Sequence, residues 1–111
     1  MALTQILKGN MYIQIINFNL TGINKSEYET AASELTSAFA DFPGLIRKHW
    51  LANEENNTYG GVYIWDSKES MDAYLESELF AGVKGNPAFA NVTSKTFENI
   101  DSLAKETRGS S

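Results

Sequence analysis

The sequence has no cysteine, a single histidine and only two prolines in 111 residues. Without cysteine there is no disulfide framework, thiol nucleophile, thiolate zinc site or iron–sulfur cluster. One histidine, His49, excludes a His-rich metal site within one subunit. Positive charge is scarce too. Nine Lys and Arg against fourteen Asp and Glu leave a net charge of −5, which argues against nucleic acid as a partner, because phosphate affinity needs clustered cations. No apolar run approaches the ~18–20 residues of a membrane span. Met1 to Asn10 lacks the apolar core and cleavage site of a secretory signal, so the expected location is cytoplasmic. Neither Gly60-Gly61 nor Gly82 and Gly85 follows a strand into a helix, so no phosphate cradle is present.

What the chain has in surplus is ring area: two Trp, five Tyr and six Phe. The length admits one domain, and 42% apolar with 21% charged residues suits a globular chain. Residues 11–20 read as a strand with two apolar parities. Met11, Ile13 and Ile15 share one, while Tyr12, Ile16, Phe18 and Leu20 share the other with Gln14. The spacing of Tyr28, Ala31, Ala32, Leu35, Ala38, Phe39 and Phe42 predicts one amphipathic helix over 24–42. Asn24 with Glu27, or Ser26 with Glu29, would form its capping box, and Pro43-Gly44 ends it. Strands at 45–53 and 58–65 flank a polar turn and should pair as a hairpin. Asp66 or Ser67 caps a second helix whose stripe is Met71, Tyr74, Leu75 and Leu79, with Phe80 off it. A fourth strand spans 91–99. The expected organisation is an N-terminal extension at 1–10, a domain at 11–103 and a tail at 104–111.

This order, β-α-β-β-α-β, predicts the α+β, ferredoxin-like fold: a four-stranded antiparallel sheet with two helices on one face. Two helices cover only one face of such a sheet, yet both parities of the first and third strands are apolar. The simplest cover for the other face is a second copy, so a homodimer closing an α+β barrel is expected. If Asn53 pairs with Thr58, Lys48 sits opposite Tyr63 and Trp50 opposite Gly61. Ile46, Lys48, Trp50, Tyr63 and Trp65 then share one face, and His49, Arg47, Val62 and Ile64 the other. A bulge at Gly60-Gly61 would reverse the assignment. The helix stripes absorb Tyr28, Phe39, Phe42 and Tyr74. Trp50, Tyr63 and Trp65 are left over, and the expectation is that they line a cavity on the face no helix covers.

Phe42-Pro43-Gly44-Leu45-Ile46 followed by Lys48 and Trp50, then Gly60-Gly61-Val62-Tyr63-Ile64-Trp65, then Ala73-Tyr74-Leu75-Glu76, resembles the YdhR-like putative monooxygenase family. Val92, Lys95 and Phe97 fit the same pattern, and the resemblance runs from about Tyr12 to Leu103. It implies the dimeric α+β barrel superfamily. That superfamily includes cofactor-independent monooxygenases of quinol and anthrone substrates, haem-degrading enzymes and small stress-response proteins. The chain departs from that pattern in about ten extra residues before the first strand and in His49, where an apolar residue is usual.

A cofactor-free oxygenase needs an apolar pocket for a flat, electron-rich substrate and a group that takes its phenolic proton. Trp50, Trp65 and Tyr63 would supply walls, with Ile46, Gln14 and Phe97 as further lining. Lys48 or Tyr63 would move the proton or hold the anion if burial shifts their pKa towards neutrality. His49 is the remaining candidate base, although the register aims it towards the helices or the sheet edge. Each residue also has a plain packing role. The leading expectation is a monooxygenase acting on a small aromatic or quinol-like substrate without a cofactor or metal. Two alternatives stand beside it: a non-catalytic dimer that binds a hydrophobic ligand or serves a stress response, and a haem-binding or haem-degrading protein. Asn17 and Trp65 resemble residues of the haem-degrading branch, but the second helix has no histidine for iron.

Overall fold

The computed structural model describes residues 9–109; the expected N-terminal extension, apart from Gly9 and Asn10, and the last two residues of the tail lie outside them. Strand β1 is Tyr12–Leu20, followed by helices α1 (Lys25–Ser33) and α2 (Thr36–Ala40). The hairpin is β2 (Leu45–Asn53) and β3 (Thr58–Trp65). Helices α3 (Lys68–Leu75) and α4 (Glu78–Gly85) then lead to β4 (Phe89–Glu98) and a short α5 (Asp101–Glu106). The strands form one antiparallel sheet in the order β2-β3-β1-β4, the ferredoxin-like arrangement.

Each expected long helix is two helices, and the breaks have local causes. At Glu34 and Leu35 the backbone N–H groups turn back to Ala31 and Ala32, three residues away, at 3.2 and 2.9 Å. That tighter turn ends α1 and re-aims α2. Ser77 starts a new helix: its Oγ accepts from the Phe80 N–H at 3.2 Å and donates to the Tyr74 carbonyl at 2.6 Å. The restart re-phases the chain. Phe80, off the stripe of an unbroken helix, is buried with its ring 5.3 Å from that of Tyr74. Of the two capping boxes expected, Asn24–Glu27 forms, its two bonds 2.8 and 2.9 Å long, and of Asp66 and Ser67 it is Ser67 that caps α3.

The hairpin register is the expected one, with Asn53 opposite Thr58, Lys48 opposite Tyr63 and Trp50 opposite Gly61. The irregularity falls between Leu45 and Arg47, not at Gly60-Gly61.

The faces are the reverse of the expectation. Gln14, Ile16, Phe18, Leu20, Tyr59, Tyr63 and Trp65 are buried together with Tyr28, Phe39, Met71, Tyr74, Phe80 and Val83 of the helical layer. The opposite face carries Ile13, Ile15, Val62 and Ile64, all half-buried, with Phe97 exposed beside Ile13. A two-residue period divides a strand into two sets but does not say which set the helices cover when both are apolar. The covered set includes two polar residues, Gln14, held by hydrogen bonds, and Lys48, held against ring faces. Among the described residues no helix is long and apolar enough to cross a membrane.

Candidate active site

A chamber of about 250 Å³ lies between the sheet and the helical layer. Phe18, Lys48, Trp50, Gly60 and Tyr63 contribute from the sheet. Tyr28, Ala31, Ala32 and Leu35 face them from α1 and the turn after it, and Phe39 from α2. Val83 and Phe89 close one end, and Glu34 and Asn86 bring polar groups. Its size is near the lower end of small-molecule sites.

Lys48 is the unusual member. Its Nζ lies 3.2 Å from the Phe39 ring centroid, 3.4 Å from that of Trp50 and 4.6 Å from that of Tyr63. Among the described residues it has no carboxylate partner. Burial lowers its pKa from the ordinary lysine value to about 7. The ring faces favour the ammonium and offset part of this. Gly61 makes the position attainable: a Cβ there would stand 3.0 Å from Lys48 Cε and 3.1 Å from Tyr63 Cε1.

Burial acts the opposite way on the phenols. It pushes the Tyr63 hydroxyl far above its usual range, the neighbouring Tyr74 adding to the effect, and it pushes Tyr28 and Tyr74 up to about 12. The Tyr63 and Tyr74 hydroxyls are 3.3 Å apart. Tyr63 therefore stays protonated at neutral pH. Of the two residues expected to shift towards neutrality, only Lys48 does.

The structure brings Lys48, Trp50 and Tyr63 together on the chamber wall; of the other candidates, Trp65 stacks on Tyr63 with ring centroids 6.1 Å apart but does not line the chamber. Trp65 is fully buried, and its Nε1 donates to Gln14 Oε1 at 3.0 Å. Gln14, equally buried, donates in turn to Ser94 Oγ at 3.1 Å. This pair belongs to the core; neither residue lines the chamber. Trp65→Phe should therefore cost about 1–3 kcal/mol by orphaning the Gln14 carbonyl, measured by urea denaturation, and leave ligand affinity unchanged. Ile46 is exposed at the irregular start of β2, on a second depression that Lys48 and Trp50 also line. Phe97 lies on the open face beside Ile13. His49 points to that face as well, where it borders a depression with Ile13, Arg47, Ile64 and Arg108. It is thus on the far side of the sheet from Lys48, not towards the helices.

Sequence reasoning assigned Phe39, Tyr28 and Phe89 no role in a site. Their helix and strand patterns are those of core residues. The available signal was Gly60-Gly61, because paired glycines within a central strand mark a close approach.

No histidine, cysteine or methionine lines the chamber. No group of three or more His, Cys, Asp or Glu among the described residues is placed to hold a metal. The lining thus offers no imidazole for haem iron.

The fold is shared with several solved proteins. The cofactor-independent oxygenase SnoaB of Streptomyces nogalater superposes with a TM-score of 0.64 at 19% identity, over 80% of this chain and 92% of that one. The haem degrader MhuD of Mycobacterium tuberculosis gives 0.62 at 20% identity, over 80% and 95%. A protein of unknown function from Nitrosomonas europaea gives 0.69 at 10% identity, over 84% and 92%. No curated protein matches by sequence. The family model described as "Putative mono-oxygenase ydhR" matches residues 13–110, nearly the whole chain, so this protein belongs to the ydhR family of putative mono-oxygenases.

Proposed function

We propose that the chamber binds a flat phenolic or quinol-type substrate and that Lys48 takes up its acidic proton, so that the anion reacts directly with O₂. The observation that carries this reading is a half-buried lysine without a carboxylate, held among three aromatic faces in an apolar chamber. The neutral amine accepts the proton, and the ring faces of Phe39 and Trp50 then hold the ammonium. Tyr63 donates a hydrogen bond to the substrate oxyanion.

The anion passes one electron to O₂, and the two radicals combine at the activated carbon as a hydroperoxide. Cleavage of the O–O bond with loss of the second C–H proton gives a carbonyl and water. The net change, CH₂ + O₂ → C=O + H₂O, draws all its electrons from the substrate and needs no external reductant. In an oxygen electrode, a hydroquinone or an anthrone should give saturable O₂ uptake well above the rate in buffer. Absence of both uptake and binding across such a panel would overturn the reading.

The same reading assigns the open face to a second copy of the chain. Ile13, flanked across the ladder by Ile64 and Phe97, forms the centre of an apolar surface that the helices leave uncovered. Wild-type protein should elute as a dimer by light scattering, and Phe97→Glu should shift it towards monomer. A monomeric wild type would contradict this assignment.

A further inference from the structure

Lys48 also has the surroundings of a nucleophile. Lys25 and Lys68 are tied to Glu29 and Asp72 at 2.9 and 2.8 Å on the surface. Lys48 is the lysine that lines the chamber, and its amine meets ring faces instead of a carboxylate. The missing side chain at Gly61 lets its stem lie along the sheet. Trp50, 39% exposed on the edge strand, stands beside it, and the depression formed with Ile46, Thr36 and Ala40 reaches Lys48 from outside. The Phe39 and Trp50 rings meet edge to face, at 88° with centroids 5.5 Å apart, so Nζ sits in a corner where a flat aryl group can lie against a ring face.

We propose that Lys48 is a covalent capture site for aryl aldehydes, which condense with Nζ inside the chamber. The Nζ lone pair forms the bond to the carbonyl carbon. The carbonyl oxygen collects the two amine protons and leaves as water, and the product is an imine; no oxidant or reductant takes part. Contact of the aryl group with a ring face of this corner would favour this amine over those on the surface. Burial adds to the preference by keeping a larger share of Nζ unprotonated at neutral pH than an exposed lysine has. The inference is independent of oxygenation, because it concerns bond formation at the amine alone.

The test is incubation of the full chain with 2-naphthaldehyde and cyanoborohydride at neutral pH, followed by intact-mass measurement and peptide mapping. The expected result is one adduct per chain, on Lys48, formed more than about tenfold faster than on any surface lysine. Lys48→Met should lose that adduct and keep slow surface labelling. Labelling at the N-terminal amine or the surface lysines at rates equal to or above that of Lys48 would overturn the proposal, and the wild-type map alone suffices to show it. Adduct formation without O₂ uptake would overturn only the oxygenase reading, whereas O₂ uptake without the adduct would overturn only this one.

Discussion

Lys48→Met should lower kcat/KM for O₂ uptake by about 10²–10⁴-fold, the range expected for loss of a positioned proton acceptor, while the protein becomes more stable. Methionine fills nearly the same volume and makes favourable contacts with the rings of Phe39 and Trp50. It also removes an amine that burial holds at a pKa of about 7. The sign of the pH effect follows from that depression. Between about pH 7 and the ordinary lysine value, the unfolded chain holds a proton that the folded chain releases. Wild-type stability therefore rises with pH across this window, by up to about 1.4 kcal/mol per unit. Below it both states are protonated, and the folded state carries the whole cost of the buried charge. The variant should thus exceed the wild type most at pH 6, with the gap closing as pH rises. The wild-type rate should climb through a limb at or above pH 7 as Nζ loses its proton, and that limb should vanish in the variant. Thermal melts and kcat/KM measured over the same pH series check both halves.

Gly60→Ala should be the most damaging small substitution in the chain. Gly60 has φ +149°, a conformation that side-chain-bearing residues rarely adopt, and a Cβ there would lie 1.8 Å from the Ile16 carbonyl oxygen. The obstacle is backbone of β1, the strand paired with β3 at the centre of the sheet, so it has no rotamer by which to yield. A loss of more than about 4 kcal/mol is expected. Against a total stability of about 5–15 kcal/mol, that leaves much of the chain unfolded, which circular dichroism and urea titration would show. Gly61→Ala should cost far less, because its nearest contact is the movable end of the Lys48 stem.

These two glycines also mark how far the sequence could be read. The order of the elements and the β2–β3 register were legible from hydrophobic pattern and a polar turn, although Gly60-Gly61 left room for a bulge, and the Asn24 cap was one of two that the sequence allowed. The helix breaks were not, since Ser77 in the middle of a helical pattern reads as an ordinary surface serine until its hydroxyl is seen capping Phe80. The choice of face was hidden for a different reason. Both parities of β1 and β3 are apolar, so periodicity does not say which one the helices cover. Only tertiary contacts reveal that Trp65 and Ser94 satisfy Gln14 and that Phe39 and Trp50 enclose Lys48. Lys48, Trp50 and Tyr63 were among the candidates because the hairpin register sets them on one face. Their aromatic partner Phe39, on a helix, could not be told from core.

The placement of the chemistry between sheet and helices, instead of on the open face of the sheet, is tested most directly by a crystal structure with 2-hydroxy-1,4-naphthoquinone. The account predicts ligand density between Phe39, Trp50 and Tyr63 with an oxygen in hydrogen-bonding reach of Lys48 Nζ. Density against Ile13, Ile64 and Phe97, with the chamber empty, would contradict it.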